Sequence, residues 1–387
     1  MRITAIHEKT IGIASTMRNA DIGFDEMTAS LIAVATDVKR DGRPVIGYGF
    51  DSIGRYAHGA VARERLIPRL LAAEPRTLQT DDGANLDPHR CWAAMMRNEK
   101  LGGHGERAGA VGVLDMAIWD ATAKIEGKPL WRLLAERYRG GAVDDRIRVY
   151  AAGGHYHPEG GTRALQDELR RYRDLGHTTI KIKVGGGPHD QDMARIEAAL
   201  AVVGDGKLAV DANAAFDVAR ADRFLEATAR FGLAWVEEIG DPLDFAFQAE
   251  LAARHATPMG TGENLFSCAD ARNLIRYGGL RPDRDWLQVD IGLSYGLVEY
   301  LRIVAMIEAA GWSRRRCLPH AGHLFSLNAV AGLGLGGHEC APDPTLLFGG
   351  FPDGVTVEDG HVRPAELPGI GFEGKANLYR LLRDLAT

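Results

Sequence analysis

The sequence predicts an α/β chain in which a parallel β/α barrel carries an α+β capping domain, and three observations predict it. First, six ionisable residues close short apolar runs: Lys183 (TTIKIKV), Asp211 (KLAVDAN), Glu237 (LAWVEEI), Glu263 (PMGTGEN), Asp290 (DWLQVDI) and His320 (RCLPHAG). They are separated by 28, 26, 26, 27 and 30 residues. A strand, a loop, a helix and a return loop consume about that length, since a βαβ unit runs to ~30 residues. Second, strand-like and helix-like segments alternate from Arg146 onward, whereas the chain before it places strands first and helices after them, an α+β order. Third, 387 residues exceed the ~250 of a barrel by enough for a second unit.

In chain order, residues 2–14, SLIAVATDV (30–38) and PVIGYGFDS (44–52) read as strands, the last two joined by the turn-rich KRDGR. ARERLIPRLLAA, DPHRCWAAMMRN and RAGAVGVLDMAIWDATAKIEG read as helices with apolar spacings of three and four. In the last, Val111, Leu114, Ile118, Ala121 and Ile125 form one face. This unit is the cap, residues 1–140. The barrel, 141–350, opens with RIRVYAAGG, and its last strand falls near His338 and Glu339. Residues 351–387 return to the cap, with a hairpin turning at Asp359-Gly360 and the short helix KANLYRLLRDLA.

Composition narrows the function classes. A chain that is 45% hydrophobic and 25% charged buries a large core. A net charge of -6 leaves no footprint for nucleic acid. The four cysteines, Cys91, Cys268, Cys317 and Cys340, are widely spaced and suggest neither a zinc knuckle nor a disulfide framework. No stretch approaches the ~18 apolar residues of a membrane span. The expectation is a cytoplasmic protein with no membrane partner.

In a parallel barrel the strand ends meet at the C-terminal mouth, where barrel active sites lie. Asp211, Glu237 and Glu263 would therefore converge, and three anions without a cation repel strongly. Their hard oxygen donors suit Mg²⁺, with open positions for water or a substrate carboxylate. Lys181 and Lys183 flank Ile182, so strand alternation puts both on one face, pointing into the barrel. Desolvation and mutual repulsion lower a lysine's pKa, which makes Lys183 the general base and leaves Lys181 cationic to meet a substrate oxygen. His320, one strand beyond Asp290, has an acid to hold one ring nitrogen while the other transfers a proton. His323 is read as structural. Solvated edge-strand lysines and acidic loop residues are the competing plain reading.

K-I-K, VDAN, WVEEIG, GEN, QVD and LPHAGH, in this order and spacing, resemble the mandelate racemase subgroup of the enolase superfamily. The resemblance implies a modified TIM barrel, (β/α)7β, capped by an α+β domain made from both chain ends. It also implies Mg²⁺ on Asp211, Glu237 and Glu263, and assembly as a homo-oligomer. NEKLGGHGER, MRNADIGF, DRDWLQVD and FGGFPDGV are more particular, and are similar to the D-tartrate dehydratases. That likeness implies dehydration of a hydroxy-diacid, D-tartrate to oxaloacetate and water, with Lys183 as base and His320 as acid. It makes Lys100 a substrate contact reaching down from the cap. The second carboxylate of a small-molecule diacid needs a cation, for which Lys100 is suited, and Arg18 and Asn19 close the site from the N-terminal loop. Asn213 joins the substrate-binding set. Glu339 either accepts a substrate hydrogen bond or caps a turn.

Two alternatives stay within this chemistry: dehydration of another sugar acid, and a 2-hydroxy acid racemase using the same Lys/His pair. A third departs from it, because His155 and His157 in H-Y-H have the i, i+2 spacing of a zinc site in a barrel hydrolase. Strands four and five ending in Glu237 and Glu263 argue against that reading.

Overall fold

The computed structural model describes residues 1–13, 15, 19, 22–52, 57–156, 160–343 and 346–385. Strands β1 (Ile3–Gly12), β2 (Thr28–Arg40) and β3 (Arg43–Phe50) form an antiparallel sheet in that order. Asp41 and Gly42, with φ of 51° and 77°, make the two-residue turn between β2 and β3. Alternation along β2 feeds two cores: Leu31 and Ala33 join the main core, and Ile32 and Val34 join the core of the cap.

The helix Arg107–Glu126 differs from its expected single apolar face. It is buried on all sides from Ala108 to Lys124, with Met116 and Trp119 in the main core and Val111, Leu114 and Ile118 in the cap core. A helix apolar all round belongs in an interior. Glycines permit the approach. A Cβ on Gly49 would lie 2.4 Å from the Val113 carbonyl oxygen, and one on Gly112 would lie 1.7 Å from that of Gly292 in the barrel. A helix absent from the sequence reading, Leu130–Tyr138, follows it, and Trp131 N donates to Asn328 Oδ1 at 3.0 Å.

The barrel staves are β4 (Ile147–Gly153), β5 (Ile180–Lys183), β6 (Leu208–Asp211), β7 (Val236–Glu237), β8 (Met259–Thr261), β9 (Trp286–Leu287) and β10 (His338–Cys340), all parallel neighbours in the order β10-β4-β5-β6-β7-β8-β9. Closure comes through Cys317 and Leu318: Leu318 N donates to Leu287 O and Gly336 N to Cys317 O, each at 2.9 Å. Helices Gly161–Asp174, His189–Val203, Val218–Thr228, Phe245–Arg254, Cys268–Tyr277, Leu297–Ala309 and Leu324–Leu333 occupy the intervals. Eight staves and seven helices make the (β/α)7β arrangement. Asp217, Asp244 and Ser267 start three of these helices by accepting a backbone N–H.

Below the mouth the barrel is filled by Tyr150, Ala209, Trp235 and Leu318. Tyr150 and Trp235 meet edge to face at 5.0 Å and floor the space above them. The C-terminal hairpin turns at Asp359 and Gly360, with φ of 48° and 69°, and its second strand β11 (His361–Val362) pairs antiparallel with β4. The last helix, Ala376–Arg383, brings Tyr379 against Tyr48 of β3 at 6.0 Å. Among the described residues no helix is long and apolar enough to cross a membrane.

Candidate active site

Strand register sets the first half of the site. Lys183 pairs with Asp211, and Asp211 with Glu237, across three neighbouring staves. Carboxylate oxygens of Asp211, Glu237 and Glu263 all lie within 4.8 Å of one another and are buried. This is the sole group of three or more His, Cys, Asp or Glu side chains placed to hold a metal among the described residues. The donors are all hard oxygens, as Mg²⁺ requires. Burial and the neighbouring carboxylates push Glu237 up to about 7 despite the attraction of Lys181, so the cluster is short of positive charge.

Both lysines of K-I-K point inward. Lys181 Nζ donates to Glu237 and lies 3.4 Å from Asp211 and 3.5 Å from Glu339. Lys183 Nζ donates to Asp211 Oδ2 at 2.6 Å. The expected lowering of the Lys183 pKa is not found. Burial and Lys181 pull it down, but the Asp211 carboxylate outweighs them and holds it above its ordinary value. Neighbouring positive charge was legible as a repulsion; the direct ammonium–carboxylate contact was not.

The second half is the Asp290–His320 pair. His320 Nδ1 lies 3.0 Å from Asp290 Oδ2, and Nε2 lies 3.3 Å from Glu263 Oε2. Burial opposes the imidazolium, but Glu263, Asp290 and Glu339 push its pKa up to about 10, the protonation state of an acid at neutral pH. Asp290 Oδ1 accepts from the N–H groups of Gly292 (2.7 Å) and Leu293 (3.0 Å); burial opposes its charge, but His320 outweighs it and holds the carboxyl below its ordinary pKa. His323 has a different duty, accepting from Ser326 N at 3.0 Å as the N-cap of Leu324–Leu333.

Lys183, Glu263, His320, Asn213, Glu339 and Asn19 all line one cavity of about 560 Å³. That volume falls within the ~300–1,000 Å³ of small-molecule sites. Glu339 accepts from Tyr150 OH at 3.1 Å, which turns its other oxygen toward Lys181. Asn213 Oδ1 is buried without a hydrogen-bond partner among the described residues. Asn213, Ala214, Glu238 and Ala321 take positive φ of 44°, 61°, 40° and 87°. Such strain in non-glycine residues gathers at functional sites.

Lys100 departs from expectation. It is exposed and does not line the cavity. Its segment is tied down by Arg107, which donates to Glu99, Lys100 O and Gly102 O at 2.9, 3.0 and 3.0 Å and also to Tyr295. Arg18 and His157 lie outside the described residues. His155 lines the cavity beside Phe24 but is not part of the carboxylate cluster, so the zinc reading finds no ligand set among the described residues.

Four site residues escaped the sequence reading. Trp235 Nε1 (2.9 Å) and Gln288 Nε2 (2.5 Å) both donate to Glu237 Oε2 and aim that carboxylate. Each stands two places before an acidic strand-end residue, on the same strand face, a signal that alternation could have supplied. Glu238 and Asn264 also line the cavity, with Asn264 Nδ2 donating to Glu238 Oε1 at 2.8 Å. Burial and the charges of Glu263 and Asp211 raise Glu238 well above the usual carboxylate range.

Residues 164–377 match the family described as Enolase C-terminal domain-like. The L-talarate/galactarate dehydratase of Salmonella typhimurium (strain LT2) is 28% identical over 360 residues, covering 89% of this chain and 81% of that protein. The arabinonate dehydratase of Saccharolobus solfataricus is 26% identical over 354 residues, covering 88% and 87%. Among solved structures, L-talarate dehydratase from Polaromonas sp. JS666, complexed with Mg and L-glucarate, superposes with a TM-score of 0.75. It is 26% identical and covers 96% of this chain and 94% of its own. The family match extends over more than half of the chain, across the staves that carry the carboxylates, Lys183 and His320, and the chain belongs to the enolase/mandelate racemase superfamily.

Proposed function

We propose that this chain is a Mg²⁺-dependent hydro-lyase that removes water from a hydroxylated acid of the sugar-acid class. D-tartrate is the substrate favoured by the motifs NEKLGGHGER, MRNADIGF, DRDWLQVD and FGGFPDGV. One observation carries the reading: Lys183 and His320, from the second and seventh staves, line a single cavity with Glu263 and flank the three-carboxylate cluster, with Asp290 of the sixth stave bonded to His320. The Mg-bound dehydratase relative and the talarate/galactarate and arabinonate dehydratases support the sugar-acid class.

Asp211, Glu237 and Glu263 would hold the ion, which supplies positive charge for a substrate carboxylate and for the negative charge that its α-deprotonation creates, as at other enolase-superfamily sites. Lys181, buried and cationic, adds to that stabilisation. Lys183 Nζ takes the α-proton as the neutral amine, for which it must first leave its contact with Asp211 and give up the proton that this carboxylate holds on it. His320 Nε2 gives its proton to the departing β-hydroxyl, which leaves as water, and Asp290 holds the imidazole throughout. The C–H electron pair becomes the new double bond as the C–O bond breaks. The enol then tautomerises to a 2-keto acid, oxaloacetate in the case of tartrate.

A proton NMR time course in D₂O with Mg²⁺ tests this against D-, L- and meso-tartrate, L-talarate, galactarate and arabinonate. A 2-keto acid from D-tartrate is the expected product. Keto acid from a different sugar acid keeps the mechanism and discards tartrate. Deuterium at the α-carbon with the β-hydroxyl retained replaces dehydration by racemisation. Neither exchange nor elimination with any acid overturns the Lys183 and His320 roles.

A further inference from the structure

Among the described residues the Asp290 carboxylate takes part in four hydrogen bonds, and one of them comes from the other domain. Gly292 N, Leu293 N and His320 Nδ1 belong to the barrel. The fourth donor is Ser52, just past the end of β3 in the cap, whose Oγ lies 2.6 Å from Asp290 Oδ2. Oδ2 is also the oxygen that meets His320. Ser52 and Asp290 are both fully buried, and an ionised carboxylate only accepts, so the Ser52 hydroxyl donates.

The cap holds this hydroxyl in place. Asp51 accepts from Ser30 N at 2.8 Å and meets His58 Nδ1 at 3.1 Å, which fixes the turn that leads out of β3. On the barrel side, Gly292 leaves the clearance that Ser52 needs, since a Cβ there would stand 3.1 Å from the serine Cβ. The contact spans 238 residues of sequence.

Resting on the dehydratase reading above, we propose that Ser52 is a positioning residue for the acid half of the reaction. Its hydroxyl stops the Asp290 carboxylate from turning about its Cβ–Cγ bond, and Asp290 in turn aims the His320 Nε2 proton at the leaving hydroxyl. Lys183 is held from a different stave by Asp211, whereas the Ser52 hydroxyl bonds to Asp290. Loss of Ser52 therefore weakens proton delivery to oxygen and leaves proton removal from carbon intact. The cap thus contributes a hydrogen bond to acid catalysis in addition to covering the site.

The test uses the full-length chain with Mg²⁺ in D₂O and the acid that the wild-type chain dehydrates. Water loss and deuterium entry at the α-carbon of recovered substrate are read in one NMR tube. Ser52→Ala is expected to lower the kcat for dehydration by about 10–100-fold, the usual effect of removing a hydrogen bond that orients a reacting side chain, with KM unchanged. The ratio of exchange to elimination rises, because the α-proton is still removed but the hydroxyl departs slowly. Ser52→Thr keeps the donor and brings the ratio back. If the alanine chain fails to fold, Ser52→Cys, which fills the volume with a weaker donor, is read the same way. Exchange and elimination falling together, or an unchanged ratio, overturns the role of Ser52. A wild-type chain inert toward every acid overturns the dehydratase reading instead.

Discussion

Replacing Lys181 by methionine separates the charge balance of the site from its packing. The side chain is 1% exposed and its ammonium meets Glu237, Asp211 and Glu339. Burial opposes the charge, but the carboxylates raise its pKa well above the ordinary value, so it is positive throughout the neutral range. At separations of 3.4 and 3.5 Å, each of the two longer pairs is worth about 5 kcal/mol at an effective dielectric constant near 20, before desolvation is subtracted. Removing one partner from such a buried group costs about 3–5 kcal/mol, since it leaves charge uncompensated. Protonation of Glu237, already pushed up by burial, limits the loss.

Chemical denaturation in EDTA should show the Lys181→Met chain destabilised by about that 3–5 kcal/mol. The effect on metal binding has the opposite sign. With one cation gone, the carboxylates attract Mg²⁺ more strongly, so calorimetric titration should give tighter binding than wild type. The stability recovered on adding Mg²⁺ should be larger, as binding linkage requires. Turnover should also be lost if the proposed dehydration draws on the Lys181 charge. Equal stability in EDTA, or weaker Mg²⁺ binding in the variant, refutes the reasoning.

Three further outcomes follow from the same geometry. Asp211→Asn should weaken Mg²⁺ binding and, with EDTA treatment of the wild type as its parallel, abolish both α-exchange and dehydration in the D₂O assay; retention of either reaction without the metal contradicts the assignment. Gly112→Ala drives a methyl to within 1.7 Å of the Gly292 carbonyl oxygen, so the cap must shift against the barrel at a cost of about 1–3 kcal/mol, seen as a lower thermal midpoint together with a lower kcat. His177, whose Nδ1 is buried without a partner among the described residues, is pushed down to about 4 by burial. The unfolded chain therefore binds its proton first as pH falls below the ordinary histidine value, and stability drains away between about pH 6.5 and 4 at up to about 1.4 kcal/mol per pH unit. His177→Gln should flatten the denaturation-midpoint profile in that window and leave it unchanged above pH 7.

The strand-end residues were legible because each sits at the close of an apolar run, and register then turns regular spacing into adjacency, as Lys183, Asp211 and Glu237 illustrate. The inward face of K-I-K was legible for the same reason, since alternation is a local rule. The hairpin at Asp359-Gly360 was legible because both residues tolerate positive φ. Amphipathic patterning understated the helix Arg107–Glu126. It registers one preferred face, whereas this helix is pressed between two cores.

Sequence periodicity set the repeating β/α unit and the order in which the carboxylates and the histidine arrive at the mouth, and the family resemblance added the (β/α)7β form. These depend on interactions within one or two βαβ units. Which atoms touch was decided by packing between distant segments. Lys183 is drawn onto Asp211 and so holds its proton, Lys100 stands outside the cavity with its carbonyl bonded to Arg107, and Ser52 reaches Asp290 across the two domains. A hydrogen bond depends on positions to a few tenths of an ångström, and its partners here are brought together by the closure of the barrel and the seating of the cap. Neither closure nor seating leaves a periodic trace along the chain.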